Sequence, residues 1–468
     1  MKKLLKILLS VLGIFLLLIV VILIWALQKV DYTPYWETDY YATTRARLDS
    51  LTRDLTPQRG KVYAGFSRVS ITPRLNAPAD DPEKGAFRAL SLAGFGDREG
   101  RPAEGIHDSL FIKAVALRVG KDTLVLIASD ILIIPAEVSE GVTQQLATTR
   151  QMRREQLLFS ATHTHSSVGG WADKYVGKEF AGDYNKTVVL WLTEQFKRAV
   201  AEALDDLGPA ALGSGTFAAP QYVKNRLTGD KGFKNPQFAW LVVRQENGRT
   251  AVLGSFAGHP TTLGGWNMQL SGDYPGYWQR KIESAGYDLA LFFAGPVGSH
   301  SVKSKGEKFE KPQYVGEALA DSTLLHCRDA VLQDSLTLAA LTLPVTLPPF
   351  HVRVTDNLRL RPSLVKKLFP PVGRVYLQTA RLGNMIWITA PCDFSGELAL
   401  NYQAAAEARG MHAMVTSFNG SYIGYVIPGK YYHLNEYESR LMSWFGPYTG
   451  PWFDEMIRRM ERSVTAKR

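Results

Sequence analysis

The sequence predicts a mixed α/β fold, with mixed β-sheets flanked by helices in a single domain behind an N-terminal transmembrane helix. Three observations carry that expectation. Residues 7–27 (ILLSVLGIFLLLIVVILIWAL) hold no charge and are long enough to cross a bilayer. Beyond about residue 61, short runs rich in Val, Ile and aromatics are broken by Gly, Pro and Asn turns, the pattern of strands. Between those runs lie longer segments whose apolar residues recur at three-to-four spacing, the pattern of amphipathic helices.

In chain order, Lys2, Lys3 and Lys6 precede the apolar run, so the positive-inside rule places residues 1–6 in the cytoplasm. The body is then expected on the non-cytoplasmic side, periplasmic or extracellular. The run ends in Trp25-Ala26-Leu27-Gln28-Lys29 without a small-x-small cleavage site, which predicts an uncleaved signal anchor over 7–27. Residues 28–60 are polar and read as a juxtamembrane stalk, with helical spacing over 42–55. The folded domain is expected over 61–468. Its strands are expected at 111–119, 123–134, 156–162, 238–244, 251–257, 289–294, 375–381, 385–389 and 412–418. Glu246-Asn247-Gly248 and Leu382-Gly383-Asn384 predict hairpin turns, because Gly and Asn tolerate positive φ. Helices are expected at 135–149, 184–207, 274–285, 311–332, 395–409 and 451–462.

Composition narrows the function. With 468 residues, 46% hydrophobic and 21% charged, the chain is a packed globular protein rather than a disordered one. The net charge of +10 includes the lysines beside the anchor and is otherwise dispersed, with no basic block or aromatic-basic interleaving, so nucleic acid is not an expected partner. Cys327 and Cys392 form no Cys-x-x-Cys pattern and read as buried thiols, with a single bridge between them as the alternative.

The chemistry concentrates on histidine. His163 and His165 follow the apolar run Leu157-Leu158-Phe159 and, read on a strand, point to one face. Two imidazoles so placed suit a metal or catalytic site, and equally a hydrogen-bonded structural strand. His259 closes Gly254-Ser255-Phe256-Ala257-Gly258 where Pro260 ends a ladder, a plausible ligand position that on its own reads first as a hydrogen-bonded surface histidine. Gly298-Ser299-His300-Ser301 is a small polar turn that either exposes a hydroxyl nucleophile or simply reverses the chain. His107, in Gly105-Ile106-His107-Asp108, opens a strand toward the same cleft, and Asp273 begins a helix as an N-cap or as a support for a ligand. No His-Glu-x-x-His helix and no Gly-x-Ser-x-Gly elbow occurs, so any metal site must be assembled from distant segments.

The ordered blocks GFSRVSITP, GIH, LLFSATHTHSSVGG, KNR, FAGHPTT, SGDYPGY, GSHS, APCDF and FNGSYIGYV resemble the catalytic domain of the neutral/alkaline, non-lysosomal ceramidase family over roughly residues 61–440. The resemblance implies a zinc-dependent hydrolase that cleaves the N-acyl bond of ceramide or a related N-acyl lipid with zinc-activated water. It implies zinc (Zn2+) ligands at His163, His259, Asp393 and Tyr425, with His165 beside the substrate amide and Arg226 stabilising negative charge. Asp393 stands where the family has glutamate, one methylene longer, which makes Glu397 the alternative ligand. The family's nucleophilic serine aligns without a gap to Gly298, so Ser301 or Ser299 serves only if the loop is reshaped. The expected partners are the membrane, through the N-terminal helix, and a lipid or other small amide or ester substrate. A catalytically degenerate, membrane-anchored ligand-binding envelope protein is the alternative.

Overall fold

A computed structural model describes residues 2–466. Its centre is a 12-stranded mixed sheet. One path through it runs Leu289–Ala294, Thr250–Phe256, Gln237–Gln245, Gly208–Ala218, Gln58–Ser70, Ser335–Pro344, Tyr376–Leu382, Met385–Ala390 and His412–Ser417. Phe111–Val119, Asp122–Ser129 and Leu157–Ala161 branch from Gln58–Ser70. That long strand joins the halves: Gln58 to Lys61 pair with Ser335–Pro344, and Val62 onward pairs with Phe111–Val119.

Alternation along the strands explains the layering, because side chains of period two face opposite sides. Val115, Leu117, Leu241, Val243, Leu253, Phe293, Trp387 and Met414 meet in one core between the folded halves of the sheet. Their neighbours Ala114, Ala116, Trp240, Val242, Ile386 and Ile388 face the other way, into cores covered by helices. Ala136–Arg150 and Lys186–Asp205 cover one outer face, Asp273–Ser284 and Glu310–Arg328 another, and Gly396–Glu407 with Thr449–Thr465 a third. Strands buried on both faces read as continuous apolar runs, so their positions are legible in the sequence. Both expected hairpins form. Both cysteines are buried and free.

Helix Lys2–Ala26 is long and apolar enough to cross a membrane. Residues 28–60, expected as a stalk, lie against the body. Leu27–Lys29 form a short ladder with Leu358–Leu360, and helix Asp39–Asp54 buries Tyr41, Thr44 and Leu48. Tyr41 donates to Glu455 Oε1 at 2.9 Å and Arg47 to Thr346 Oγ1 at 2.9 Å. Spacing identified the helix, whereas its packing depends on partner surfaces some 300 and 400 residues away.

Candidate active site

Strand Leu157–Ala161 runs parallel to Asp122–Ser129, and both end at the same edge of the sheet. The strand stops at Ala161, and His163 takes the left-handed conformation at φ 63°. The turn is pinned by Thr162 N–H to Ser129 O and His163 N–H to Ile131 O. The two histidines are therefore brought together by a strained loop rather than by strand alternation. His259 reaches the same point from the loop after Thr250–Phe256.

The three imidazoles converge. His163 Nε2 lies 3.0 Å from His259 Nε2, His165 Nε2 lies 3.0 Å from His259 Nε2, and His163 and His165 are 3.3 Å apart through the same atoms. Each Nδ1 faces a backbone carbonyl: Leu132 O at 2.6 Å for His163, Gly94 O at 3.1 Å for His165, and Val297 O at 3.4 Å for His259. A carbonyl only accepts, so Nδ1 carries the proton in each ring and Nε2 presents a lone pair. Burial holds His163 neutral down to about 3 and depresses His165 and His259 well below the usual imidazole value, with Arg226 adding to the effect. Three lone pairs facing one another cannot bond among themselves. They fit a cation: nitrogens about 2.0–2.1 Å from a tetrahedral zinc stand about 3.3 Å apart.

A carboxylate completes the set. Asp393 is buried on the two-residue strand Asp393–Phe394, paired in parallel with Tyr425–Val426. Its Oδ2 accepts from Tyr422 Oη at 2.8 Å, whereas Oδ1 is buried without a hydrogen-bond partner, 3.5 Å from His163 Nε2. Burial raises its pKa to about 7, against the pull of Tyr422 and Arg226. An orphaned buried carboxylate oxygen costs about 1–3 kcal/mol or more. Placed beside three imidazole lone pairs, it is the oxygen donor that a zinc site accepts.

Arg226 and Tyr425 form the adjoining wall. Arg226 Nη2 donates to Tyr425 Oη at 2.9 Å, and its Nε lies 2.6 Å from Glu438 Oε1. Burial would weaken the guanidinium charge, but Tyr425, Glu438 and Asp393 outweigh it and raise its pKa. Burial and the nearby Asp393 charge push the Tyr425 phenol well above its ordinary value. Tyr425 thus accepts from Arg226 and keeps its own proton to give.

The remaining candidates separate. Glu397 pairs with Lys430. His107 is exposed, bonded to Tyr277 Oη at 2.8 Å and stacked on Phe309. Asp273, raised to about 6 by burial, accepts from the hydroxyl of Thr262 and from Leu263 N–H, so it braces the loop that follows His259. Ser299 is locked: its Oγ lies 2.9 Å from His300 Nδ1 and 3.2 Å from Ser395 Oγ, and takes Gly396 N–H at 3.0 Å. Ser301 forms a bridge with His259, and its Oγ is buried without a partner.

Two supports escape sequence reasoning. Arg98 is buried and donates to His165 O at 2.6 Å and Ala93 O at 3.1 Å, tying the histidine loop to the preceding turn. It sits in a Pro/Asp/Gly-rich loop where no local pattern marks it. Gly298 is the other: a Cβ there would stand 2.3 Å from Asp393 O. Gly298→Ala should therefore push Asp393 outward, costing about 1–3 kcal/mol of stability and lowering affinity for a metal ion held there about tenfold. Thermal melting and metal titration read both, and unchanged values would contradict the contact.

A cavity of about 30 Å³ lies against His163, His165, Asp393 and Tyr425, room for one or two waters. It shares Ile133, Trp171, Phe180 and Tyr422 with a second cavity of about 450 Å³, within the range of small-molecule sites. Neither Ser299 nor Ser301 is on the wall of the smaller cavity.

Residues 84–292 match the family described as neutral/alkaline non-lysosomal ceramidase, N-terminal. That stretch holds His163, His165, Arg226 and His259, while Asp393 and Tyr425 lie beyond it. Among solved structures, the neutral ceramidase from Pseudomonas aeruginosa is similar at 19% identity and TM-score 0.69, covering 86% of this chain and 74% of that one. A ceramidase complexed with C2 is similar at 17% identity and TM-score 0.69, covering 86% and 75%. No curated protein sequence matches. At these identities the structural likeness speaks for the fold, and the matched segment speaks for the family. Residues 84–292 thus match the neutral/alkaline non-lysosomal ceramidase family, and the fold around them is similar to that of solved neutral ceramidases.

Proposed function

We propose that the chain hydrolyses the N-acyl amide bond of ceramide or a closely related N-acyl lipid, at a zinc centre held by His163, His165, His259 and Asp393. The observation that carries this reading is the triangle of unprotonated Nε2 atoms beside the orphaned Asp393 Oδ1. Bound zinc supplies Lewis acidity toward the amide oxygen and lowers the pKa of its water to about 7. The carbonyls of Leu132, Gly94 and Val297 fix the tautomers that make the three rings ligands.

Tyr425 stands on the other wall as a hydrogen-bond donor for the oxygen on which negative charge develops. Arg226 holds that phenol and adds positive charge from behind it. The larger cavity, lined by Ile133, Trp171, Phe180, Pro370, Tyr422 and Trp444, suits an acyl or alkyl chain. Ser301 takes no part in this reading, because it is absent from the wall where substrate meets the imidazoles. The N-terminal helix is read as an uncleaved anchor, with the body on the non-cytoplasmic side. Its bonds to the body support retention, since cleavage near Ala26 would remove the Ile24 and Ala26 carbonyls that accept from Arg361.

The test is the zinc content of the purified chain and its hydrolysis of a fluorescent ceramide, before and after chelation. The expected result is about one zinc per chain and activity that disappears with chelator and returns with zinc. A zinc-replete protein that leaves ceramide and simple N-acyl amines intact would overturn the reading.

A further inference from the structure

The segment that clasps the N-terminal helix also rims the larger cavity. Arg361 N–H donates to Ala26 O at 2.9 Å, and Arg361 Nη2 donates to Ile24 O at 3.2 Å. Beside it, Leu27, Gln28 and Lys29 pair with Leu360, Arg359 and Leu358, and Val30 N–H donates to Asn357 O at 2.9 Å. The helix therefore enters the body with no free linker. Helix Pro362–Leu368 follows at once, and Pro370, Pro371 and Gly373 then line the cavity.

Distances keep this rim near the bilayer. A helix of seven residues rises about 10 Å, comparable to the depth of one headgroup layer, about 5–8 Å. Residues Lys3–Ala26 number 24 and extend about 36 Å as a helix, more than the hydrocarbon core of about 30 Å. The last turn and the Arg361 clasp then sit at headgroup level. Trp25, Tyr32 and Trp36 are exposed around that junction, where amphipathic rings favour the interface. Lys366 and Lys367 are exposed at the end of the intervening helix, and Lys174 and Tyr175 are exposed on helix Lys174–Ala181, which packs beside it. The acidic residues of the cavity are Glu137, Glu140 and Asp173; Glu140 Oε1 accepts from Arg374 N–H at 2.8 Å beside Gly373, Asp173 lies within reach of Lys174, and Glu137 accepts from the Tyr184 hydroxyl. Glu137 is also engaged by Lys186.

We propose that residues 358–373 rest on the bilayer crossed by the N-terminal helix, and that the cavity they rim takes an acyl chain directly from that bilayer. The clasp sets which lipids are reached: those in the leaflet where the helix ends. This rests on the hydrolase reading only for the fate of the lipid, not for its capture.

The experiment uses the full chain reconstituted in vesicles of zwitterionic and anionic phospholipid that contain a ceramide with a photoreactive acyl chain. A second protein carries a flexible Gly/Ser insertion of about twelve residues between Ala26 and Leu27, reaching about 20 Å, which leaves the ladder intact. Illumination should label peptides 369–373 and 171–180 in the unmodified chain, and labelling should fall about tenfold with the insertion as effective concentration drops. Hydrolysis in vesicles should fall in parallel, while hydrolysis of the same ceramide in detergent micelles stays unchanged. Absent labelling of these peptides, or equal labelling in both proteins, overturns the inference. Normal labelling without hydrolysis in vesicles or micelles overturns the hydrolase reading and leaves the inference standing.

Discussion

Replacing His163 or His259 with alanine is expected to empty the proposed zinc site and lower hydrolysis about a thousandfold or more. Each ring supplies one of three lone pairs about a common point, and its Nδ1–H is already committed to a carbonyl. Removal leaves one lone pair fewer about that point, and the two imidazoles and carboxylate that remain hold the ion more weakly. Zinc analysis after dialysis, beside the fluorescent ceramide assay, checks the result. His165→Ala is the sharper variant. From the resemblance, His165 is a catalytic neighbour whose loss spares the metal. Its Nε2 nevertheless stands as close to His259 as His163 does, at 3.0 Å, and the proposal counts it as a ligand. His165→Ala should therefore lose zinc with the others, and full zinc occupancy in that variant would return it to the neighbouring role.

Tyr425→Phe is expected to cut kcat by about a hundred- to a thousandfold, the typical loss of one oxyanion donor, with little change in KM and with zinc retained. The phenol accepts from Arg226 at 2.9 Å and is kept protonated by burial, so its hydrogen is available to the reacting oxygen. The retained zinc is the discriminating measurement, because a phenolate ligand, the role implied by the resemblance, would take metal with it when deleted. Arg226→Lys should show a weaker version of the same phenotype, since lysine keeps the charge and loses the planar fork that spans Tyr425 and Glu438. Ser301→Ala should stay within a few-fold of the unmodified enzyme in kcat, and loss of turnover with zinc retained would restore the serine-nucleophile alternative.

What the sequence made legible follows from how locally each feature is determined. Phe111–Val119 and Leu289–Ala294 stand at their expected bounds, because strands buried on both faces declare themselves as apolar runs. Gly208–Ala218 and Ser335–Pro344 escaped that reading. The first is rich in Ala and Gly, and the second has Ser and Thr between its leucines. The expected strand 123–134 ends at Ser129 because residues beyond it leave the sheet and carry the Leu132 carbonyl to His163. The convergence of His163, His165 and His259 was suggested by motif order, but the positive φ at His163 that aims its ring was not. Arg98 and Gly298 act through contacts with residues about 70 and 95 positions away, and no window of sequence contains both partners.

Each imidazole is oriented by a carbonyl on another stretch of chain: Leu132 for His163, Gly94 for His165 and Val297 for His259. Asp393 arrives from a further stretch again, its own backbone packed against Gly298. Affinity for the ion is thus a collective property that appears only when the loops after several strands have docked. On the proposed zinc reading, metal capture then serves as a late checkpoint of assembly. A native chain at a free zinc level a hundredfold above its dissociation constant gains about 2.7 kcal/mol over the unfolded ensemble, and a half-assembled chain gains none of it.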